Sequence, residues 1–418
     1  MNLKSKLIKL AKEVKQSSQI LAGLPSKQKE KVLYQVAQLL KKEFKAIIQA
    51  NQKDLGTARQ MKLSEAMIDR LMLNSKRIDQ MATVVSDVAK LKDPVGQVLK
   101  SWKRPNGLKI SKVTVPLGVI LIIYESRPNV TSECASLCFK SGNAVLLRGG
   151  REAFHSNQAI VDVYQTVLKR NRIPISTVSF VPILDRQAID ELLKLDEFIN
   201  LVIPRGGEAL IRRVAENARM PVIKHYKGIC HVYVDRDADL KMALNIAYNA
   251  KVQRTGVCNA METLLVHQGI AKKFLPVFGD MLKKARCEIR GDQATRKILS
   301  GIKTATEKDW KTEYLDRILS IRVVKNVDQA IEHIQKYGSA HTDSIVTTNR
   351  LSAEKFISKV DSSSVMVNAS TRFSDGNEYG FGAEIGISTD KVHARGPMGL
   401  EGLMSYKYVV RGNGQIRT

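Results

Sequence analysis

Hydrophobic residues recur at helical spacing through roughly the first 92 residues of the chain. Between positions 32 and 48 the apolar side chains return every three or four residues, so they share one face of a helix. The segment therefore predicts helices that pack against the rest of the fold. No apolar run approaches the roughly 18 residues that a membrane-spanning helix needs, so we expect no such helix.

Two short strand-like runs follow, at residues 98–103 and 108–115. The residues between them include Pro-Asn-Gly, which favours a tight reversal, so the pattern predicts a protruding hairpin. Its first strand mixes lysines with an exposed-looking Trp102, which suggests pairing across a subunit boundary. The apolar run at 403–410 is a candidate third strand for this hairpin.

From residue 118 onward, short apolar runs alternate with amphipathic segments. Continuous apolar strands separated by helices indicate a parallel sheet covered on both faces, with ligands at the carboxyl ends of its strands. A second α/β region follows residue 239, and a glycine-rich segment at 373–402 predicts loops folded over the site. The predicted strands are 119–124, 144–147, 178–183, 199–203, 221–223, 263–266, 319–324, 344–347 and 364–367. The predicted helices begin near Pro128, Glu152 and Ser352 or span 189–195, 208–217, 240–250, 271–286 and 327–337.

The composition is that of a globular protein, with 44% apolar and 26% charged residues. The five cysteines are scattered without a CxxC pair, which favours a reducing compartment and a cytoplasmic location. The net charge of +26 raises nucleic-acid binding as an alternative. The lysines are spread over helix faces, however, so a basic solvated surface is the favoured interpretation.

Two arginine-flanked glycine turns, at residues 148–151 and 204–208, end predicted strands and lead into helices. Glycine at such turns lets a phosphate approach the free amides and the positive dipole end of the helix. A GxGxxG fingerprint is absent after the first strand of the series. Ordinary strand-to-helix turns also favour glycine, but two such turns in one sheet favour an anion site.

The strongest candidate for chemistry is Cys258, within residues 256–266. A glycine two positions before it and an apolar run after it would present the sulfur on a tight turn at the end of a buried strand. The alternative is an inert core cysteine, because free cysteine is among the most buried residue types. Cys134 and Cys138 lie one helical turn apart, but with no histidine or further cysteine nearby we expect no metal site.

Seven strings, spread over nearly the whole chain, resemble signatures of the aldehyde dehydrogenase superfamily. They lie at residues 124–130, 147–152, 203–207, 230–235, 256–266, 384–391 and 392–400. The resemblance implies an α/β fold with two doubly wound α/β domains and a small β oligomerisation flap. The implied parts are a dinucleotide-binding domain at 1–97 and 116–235, oligomerisation strands at 98–115 and 403–418, a catalytic cysteine domain at 236–375, and loops at 376–402 that return to the cofactor domain.

The resemblance also implies a reaction. NADPH would reduce L-glutamyl 5-phosphate to L-glutamate 5-semialdehyde and phosphate through a Cys258 thioester, the second step of proline biosynthesis from glutamate. Ser126 would help the Cys258 amide to bind the oxyanion, although it stands where oxidising relatives carry asparagine and could belong to a helix-entry turn. Lys224 and His225 replace the water-activating glutamate of hydrolytic relatives, which disfavours the alternative of a hydrolytic aldehyde dehydrogenase that makes a free acid.

The remaining site residues also come from the resemblance. Arg151 stands where NAD-binding relatives carry an acid, and an arginine there favours the 2'-phosphate of NADPH. The other cofactor candidates are Arg148, Gly206, Gly207 and Glu313, and the substrate candidates are Arg127, Asn129, Arg254 and Arg372. The family further implies a small-molecule substrate, a homodimer or higher homo-oligomer, and contact with glutamate 5-kinase.

Overall fold

The computed structural model describes residues 2–417, and the predicted α/β fold is confirmed. The chain divides into two compact units. Unit 1 comprises the residues up to Lys224 together with Gly380–Gly386 and the residues from Met398 onward, and unit 2 comprises His225–Tyr379 and Ile387–Pro397. Among the described residues, no helix is both long enough and apolar enough to cross a membrane.

The helices and strands of the described residues are numbered in chain order. The helices are α1 (Leu3–Ala22), α2 (Ser26–Lys42), α3 (Phe44–Gln60), α4 (Glu65–Leu71), α5 (Ser75–Lys90), α6 (Pro128–Lys140), α7 (Phe154–Arg170), α8 (Gln187–Leu192), α9 (Glu208–Asn217), α10 (Leu240–Val252), α11 (Gln268–Lys284), α12 (Gln293–Ile298), α13 (Glu307–Trp310), α14 (Val327–Tyr337) and α15 (Arg350–Lys359). The strands are β1 (Val98–Lys103), β2 (Lys109–Pro116), β3 (Val119–Tyr124), β4 (Ala144–Gly149), β5 (Val178–Phe180), β6 (Leu201–Arg205), β7 (Cys230–Val234), β8 (Met261–His267), β9 (Glu288–Gly291), β10 (Lys303–Thr304), β11 (Ile318–Val324), β12 (Thr342–Val346), β13 (Ser364–Val367), β14 (Ile387–Ser388), β15 (Gly396–Pro397) and β16 (Met404–Arg411).

A four-stranded parallel sheet in the order β5-β4-β3-β6 forms the centre of unit 1. Every residue of β3 and β4 is buried, as expected of continuous apolar strands that are covered on both faces. The helical spacing of Leu7, Ala11 and Val14 brings one face of α1 into the same core as Val119 and Leu121. The predictions of an N-terminal helical region and of a parallel sheet are therefore both confirmed.

A separate antiparallel sheet, β1-β2-β16, belongs to the same unit. The chain forms the predicted hairpin from β1 and β2, and β16 pairs with β2 along its length, which confirms the predicted third strand. Trp102 is half-buried rather than exposed, because its ring meets that of Tyr408 edge-on with centroids 6.1 Å apart. This cross-strand aromatic contact joins two strands that lie far apart in sequence.

Unit 2 is built on a seven-stranded parallel sheet in the order β10-β9-β11-β8-β7-β12-β13. Neighbouring residues of a strand point to opposite faces, so Leu264 and Leu265 of β8 enter different cores. Leu264 packs with α10 and α11 around Phe274, and Leu265 packs with α14 and α15 around Phe356. The predicted second α/β region is thus confirmed, with β8 covered on both faces at the centre of the sheet.

Several predicted strands of unit 1 have different bounds in the structure, and for two of them the cause is clear. β5 ends at Phe180, earlier than predicted, because it is an edge strand whose ladder with β4 stops there. β6 begins at Leu201, later than predicted, because the preceding residues form a turn in which the Ile199 amide donates to the Leu195 carbonyl at 2.9 Å. Apolar character alone did not separate the turn from the strand.

The sequence prediction was wrong about one strand, misplaced one helix and missed several short elements. Residues 221–223 form a single bridge, between Val222 and Val202, rather than a strand. α8 lies slightly earlier than the predicted helix at 189–195. β9, β10, α12 and α13 are not predicted by the pattern, because they are short and largely polar elements at or near one edge of the second sheet.

Candidate active site

Cys258 lies in the turn between α10 and β8. The Ala260 amide donates to the Val257 carbonyl at 3.1 Å, which closes this turn around the cysteine. Cys258 is half-buried, whereas the other four cysteines of the chain are buried. Its sulfur is therefore the thiol that a substrate can reach most readily, on a turn beside a buried strand.

The backbone of Cys258 lies against Gly228, which shortly precedes β7. A Cβ atom at position 228 would lie 2.0 Å from the Cys258 carbonyl oxygen, so only glycine permits this approach. The Gly228 amide donates to Glu313 Oε1 at 2.9 Å, and the Cys230 thiol donates to the Cys258 carbonyl at 3.2 Å. These contacts fix the Cys258 turn against the segment that leads into β7.

Two histidine rings lie beside the Cys258 sulfur. One ring nitrogen of His225, one of His341 and the Cys258 Sγ all lie within 4.8 Å of one another. His225 Nδ1 is 2.9 Å from the Ile387 carbonyl oxygen. Because a carbonyl only accepts, Nδ1 carries the proton and Nε2 carries the lone pair of the neutral ring. His341 is fully buried, and its ring meets that of His225 edge-on at 5.5 Å.

Arg372 is anchored to the residue that follows the cysteine. Its guanidinium donates to Asn259 Oδ1 and, at 2.8 Å, to Gln253 Oε1. Asn259 in turn donates to the Ser374 carbonyl at 2.9 Å. Burial and the neighbouring charge of Arg254 lower the pKa of Arg372. The structure thus brings two substrate candidates, Arg254 and Arg372, to the Cys258 turn, where they form a cationic environment.

A buried ion pair lies at the ends of the elements that flank this turn. Lys251 Nζ is 2.6 Å from Glu262 Oε2, and both side chains are fully buried. Glu262 also accepts the Leu315 amide at 3.1 Å. Burial raises the pKa of the Glu262 carboxyl to about 7 in spite of the lysine. The pair joins α10, β8 and the loop that carries Glu313.

The first glycine turn of unit 1 follows β4. The guanidinium of Arg148 donates to the Gly149 carbonyl and, at 3.1 Å, to the Leu184 carbonyl, and burial lowers the pKa of Arg148. A Cβ atom at Gly149 would lie 2.1 Å from Asn157 Nδ2, so this glycine permits α7 to pack closely on the sheet. Arg151 begins a short 3-10 helix and is exposed. Of the two arginines, Arg151 is the one open to a ligand.

The second glycine turn follows β6 and leads into α9. The Gly207 amide donates to Glu125 Oε2 at 3.0 Å, and a Cβ atom at Gly206 would lie 2.5 Å from the same oxygen. The Glu125 carboxylate therefore occupies an amide that an anionic ligand could otherwise use. A Cβ atom at Gly207 would meet no atom within 4 Å. Space for a ligand thus exists beside Gly207, at the start of the helix.

Three predicted residues lie where β3 leads into α6: Ser126 and Arg127 in the connecting segment, and Asn129 in the first turn of α6. Ser126 has a φ of +35°, and both its amide and its hydroxyl donate to Glu152 Oε1, at 2.7 and 2.8 Å. A role of that hydroxyl towards an oxyanion therefore requires exchange of its bond to Glu152. Asn129 donates to Glu133 Oε1 at 2.8 Å, and Arg127 is exposed at the N-cap of α6.

Comparison with known proteins identifies the family of the chain. The profile of the aldehyde dehydrogenase family matches residues 4–317. The chain belongs to the aldehyde dehydrogenase family. It is 53% identical to a gamma-glutamyl phosphate reductase of Thermodesulfovibrio yellowstonii, with 100% of both chains covered, and 52% identical to that of Nautilia profundicola, with 97% of this chain and 98% of the other covered.

A solved structure agrees with these sequence matches. The crystal structure of gamma-glutamyl phosphate reductase from Thermotoga maritima matches this chain with a TM-score of 0.97 at 50% identity, covering 99% of this chain and 100% of the other. Within the family, the chain groups with the gamma-glutamyl phosphate reductases. Members of this family are oxidoreductases that act on small molecules and use nicotinamide cofactors.

The predicted site residues of this family member fall into two sets. In unit 2 the set surrounds the Cys258 turn or contacts its neighbour Gly228, and its members are Cys258, His225, Arg254, Arg372 and Glu313. In unit 1 the set lies at or just beyond the carboxyl ends of β3, β4 and β6, and its members are Ser126, Arg127, Asn129, Arg148, Arg151, Gly206 and Gly207. Lys224 is half-buried and is the last residue of the long first segment of unit 1.

Sequence reasoning missed four residues that contact the Cys258 turn. They are Gly228, Cys230, Asn259 and His341. Only Gly228 carried a usable signal, since a glycine next to a buried strand can mark a close approach by another backbone, and Gly228 lies two residues before β7. The others have roles that depend on neighbours distant in sequence.

Proposed function

We propose that the protein reduces L-glutamyl 5-phosphate to L-glutamate 5-semialdehyde and phosphate with NADPH, in the second step of proline biosynthesis from glutamate. The observation that carries this proposal is the half-buried Cys258 with histidine nitrogens within 4.8 Å of its sulfur. A thiol with a proton acceptor beside it is suited to form an acyl-enzyme. Similarity along the full length to gamma-glutamyl phosphate reductases supports this acyl phosphate as the substrate.

In the proposed reaction, Cys258 acts as the nucleophile. His225 Nε2 accepts the thiol proton, and the sulfur attacks the acyl carbon of the substrate. The bond from that carbon to the phosphate oxygen breaks, and phosphate leaves with the electron pair, which produces a thioester on Cys258. Arg254 and Arg372 bind the anionic groups of the substrate and of the leaving phosphate.

Two further roles concern the oxyanion that forms on the substrate and the cations near Cys258. The Cys258 amide donates to the developing oxyanion, and Ser126 remains the proposed second donor. Lys224 adds a cation next to His225 in the chain, at the position where hydrolytic relatives carry a carboxylate base. Cations favour phosphate, rather than water, as the partner with which the thioester exchanges.

The unit 1 turns fit a dinucleotide that carries a 2'-phosphate. Gly207 has open space beside its Cα at the start of α9, so a phosphate can approach that backbone once the Glu125 carboxylate releases the Gly207 amide. Exposed Arg151 offers the cation that a 2'-phosphate requires. Arg148, at the start of the same glycine turn, stabilises the turn through its hydrogen bond to the Leu184 carbonyl. We assign Gly206 to the same dinucleotide and Glu313 to the nicotinamide ribose. When bound, NADPH supplies the hydride that converts the thioester to the aldehyde.

The reverse reaction tests the proposed function. The protein is incubated with glutamate 5-semialdehyde, added as its cyclic imine, together with NADP and phosphate. We expect formation of NADPH that depends on phosphate, because phosphate must release the acyl group from Cys258. Formation of NADPH at the same rate without phosphate would indicate a hydrolytic aldehyde dehydrogenase, and no formation of NADPH at all would contradict the proposal.

Arg151→Gln is expected to raise the KM for NADPH by about 10- to 100-fold, because a hydrogen bond between charged groups contributes about 1.5–3 kcal/mol. The KM for NADH should change little, since NADH has no 2'-phosphate. Steady-state kinetics with both cofactors measure the ratio. Arg170→Gln is the matched control, as Arg170 is also exposed, at the end of α7. Equal losses with both cofactors would exclude a contact between Arg151 and the 2'-phosphate.

We also propose the domain roles that the family implies. The family assigns the dinucleotide to residues 1–97 and 116–235, the nucleophile to residues 236–375 and returning loops to residues 376–402. Because residues 225–235 and 387–397 belong to unit 2, we propose that dinucleotide binding falls to residues 1–97 and 116–224 and that only residues 380–386 and 398–402 return to unit 1. The strands at 98–115 and 403–418 would form the contact of a homodimer or higher homo-oligomer, consistent with exposed apolar side chains that include Val98, Leu99, Tyr406, Tyr408 and Val410. A cytoplasmic location and contact with glutamate 5-kinase belong to the same proposal.

A further inference from the structure

Three metal-ligating side chains meet at the Cys258 turn. Cys258, His225 and His341 each offer one ligand atom, and these atoms lie within 4.8 Å of one another. Thiolate and imidazole are the ligands that Zn²⁺ prefers in proteins. We propose that this cluster, the Cys258–His225–His341 cluster, binds Zn²⁺ and that bound Zn²⁺ reversibly blocks the thiol. The bound Zn²⁺ would inhibit the enzyme rather than take part in catalysis, because the proposed reaction needs Cys258 as a free nucleophile.

The spacing of the ligand atoms suits a tetrahedral ion after a small adjustment. Zn²⁺ binds sulfur at about 2.3 Å and nitrogen at about 2.0–2.1 Å, which places neighbouring ligand atoms of a tetrahedron roughly 3.3–3.6 Å apart. The three atoms lie no more than 4.8 Å apart, so closing by at most about 1.2–1.5 Å brings them to binding distance. Cys258 lies in a turn and is half-buried, so its side chain can make part of that movement without disturbing a packed core.

The His225 ring is already held in the form that a metal requires. Its Nδ1 donates to the Ile387 carbonyl at 2.9 Å, which leaves the lone pair on Nε2. A backbone carbonyl that binds the second nitrogen is the usual outer partner of a metal-ligating histidine, because it fixes both the tautomer and the ring orientation.

The cluster provides three ligands and leaves a fourth position open. His341 is fully buried, but Cys258 and His225 are both half-buried, so the open side of the site is accessible to solvent. Zinc sites of three protein ligands keep water or another exchangeable group in the fourth position. We therefore expect binding that a chelator reverses rather than a permanent structural ion.

Cobalt is the probe of choice, because Co²⁺ bound to a thiolate gives an absorption band from sulfur-to-metal charge transfer. Metal-free full-length protein is titrated with Co²⁺ without oxygen. We expect saturation at one ion per chain and loss of the band when Zn²⁺ is added. The band should disappear in Cys258→Ser. In His225→Gln and His341→Gln the affinity for Co²⁺ should fall by at least about 100-fold, since even the loss of an outer partner costs about 10- to 100-fold.

Two other cysteines provide controls for the same titration. Cys287→Ser removes a buried thiol of unit 2 and should leave the band unchanged. Cys230→Ser removes the thiol nearest to the site, whose Sγ is 3.7 Å from His341 Nδ1, and the band should persist. A band that survives Cys258→Ser, or is lost only in Cys230→Ser, would overturn the assignment. His225 is the less buried of the two histidines, so His225→Gln tests the site even if His341→Gln does not fold.

Inhibition of turnover is a separate measurement that rests on the proposed function. Zn²⁺ should inhibit the phosphate-dependent reaction, a chelator should restore it, and Cys287→Ser should be equally sensitive. Cobalt binding without any turnover would contradict the proposed function and leave the metal site intact. Turnover with no saturable cobalt band would overturn the metal site and leave the proposed function intact.

Discussion

Replacing Cys258 with serine is expected to lower kcat by at least about 10⁴-fold. At neutral pH a serine hydroxyl is a far weaker nucleophile than a thiol, so the acyl group is not transferred to the enzyme. The side chain keeps its size, so the affinity for NADPH should not change. Turnover in the phosphate-dependent direction and a fluorescence titration with NADPH measure the two quantities.

Cys287→Ser is the matched control for this prediction and should retain the activity of the wild type. A thiol reagent gives a second measurement, because burial raises the pKa of the Cys134 thiol to about 12 and of the Cys287 thiol to about 11 and keeps those of Cys138 and Cys230 well above their usual range. Iodoacetamide should therefore modify Cys258 first. Turnover by Cys258→Ser within about tenfold of the wild type would be inconsistent with the thioester mechanism.

The bounds of two elements with a clear hydrophobic pattern, β3 and α14, could be predicted to the residue. β3 has the predicted bounds because all of its side chains are buried, and α14 does because its apolar face follows the helical period. The edge elements could not be predicted in this way. β9 (Glu288–Gly291) and β10 (Lys303–Thr304) are partly or wholly exposed and mostly polar, so the neighbouring strand rather than their own pattern makes them strands.

In the candidate site, too, residues with a local sequence signal could be predicted, and residues brought there by the fold could not. Cys258 could be predicted because its glycine and the apolar strand beside it are local in sequence. His341 could not, because nothing near it in sequence indicates that its ring lies beside His225. The role of Ser126 was predicted from family position, whereas its bond to Glu152 depends on the positive φ of its backbone and on a carboxylate from the following turn.

The other large effect is expected at the buried ion pair. Replacing Lys251 with methionine should lower the free energy of unfolding of unit 2 by about 3–5 kcal/mol at about pH 9, because the change leaves the Glu262 carboxylate buried without a partner.

Burial raises the pKa of Glu262 to about 7 with the lysine present, and loss of the lysine raises this pKa further. A carboxyl with a raised pKa binds more protons in the folded state than in the unfolded state, so its contribution to stability is lost as the pH rises. The destabilisation should therefore be smaller at about pH 6 than at about pH 9.

Hydrogen exchange of the β8 amides measures this free energy, because that strand lies at the centre of the unit 2 sheet. The double variant Lys251→Met/Glu262→Gln should recover most of the loss, since glutamine can still accept the Leu315 amide and leaves no buried charge. Lys355→Met breaks an exposed pair with Asp328 and should cost no more than about 1 kcal/mol. A loss that is independent of pH, or that the double variant increases, would mean that the cost comes from packing around the methionine rather than from an unpaired carboxylate.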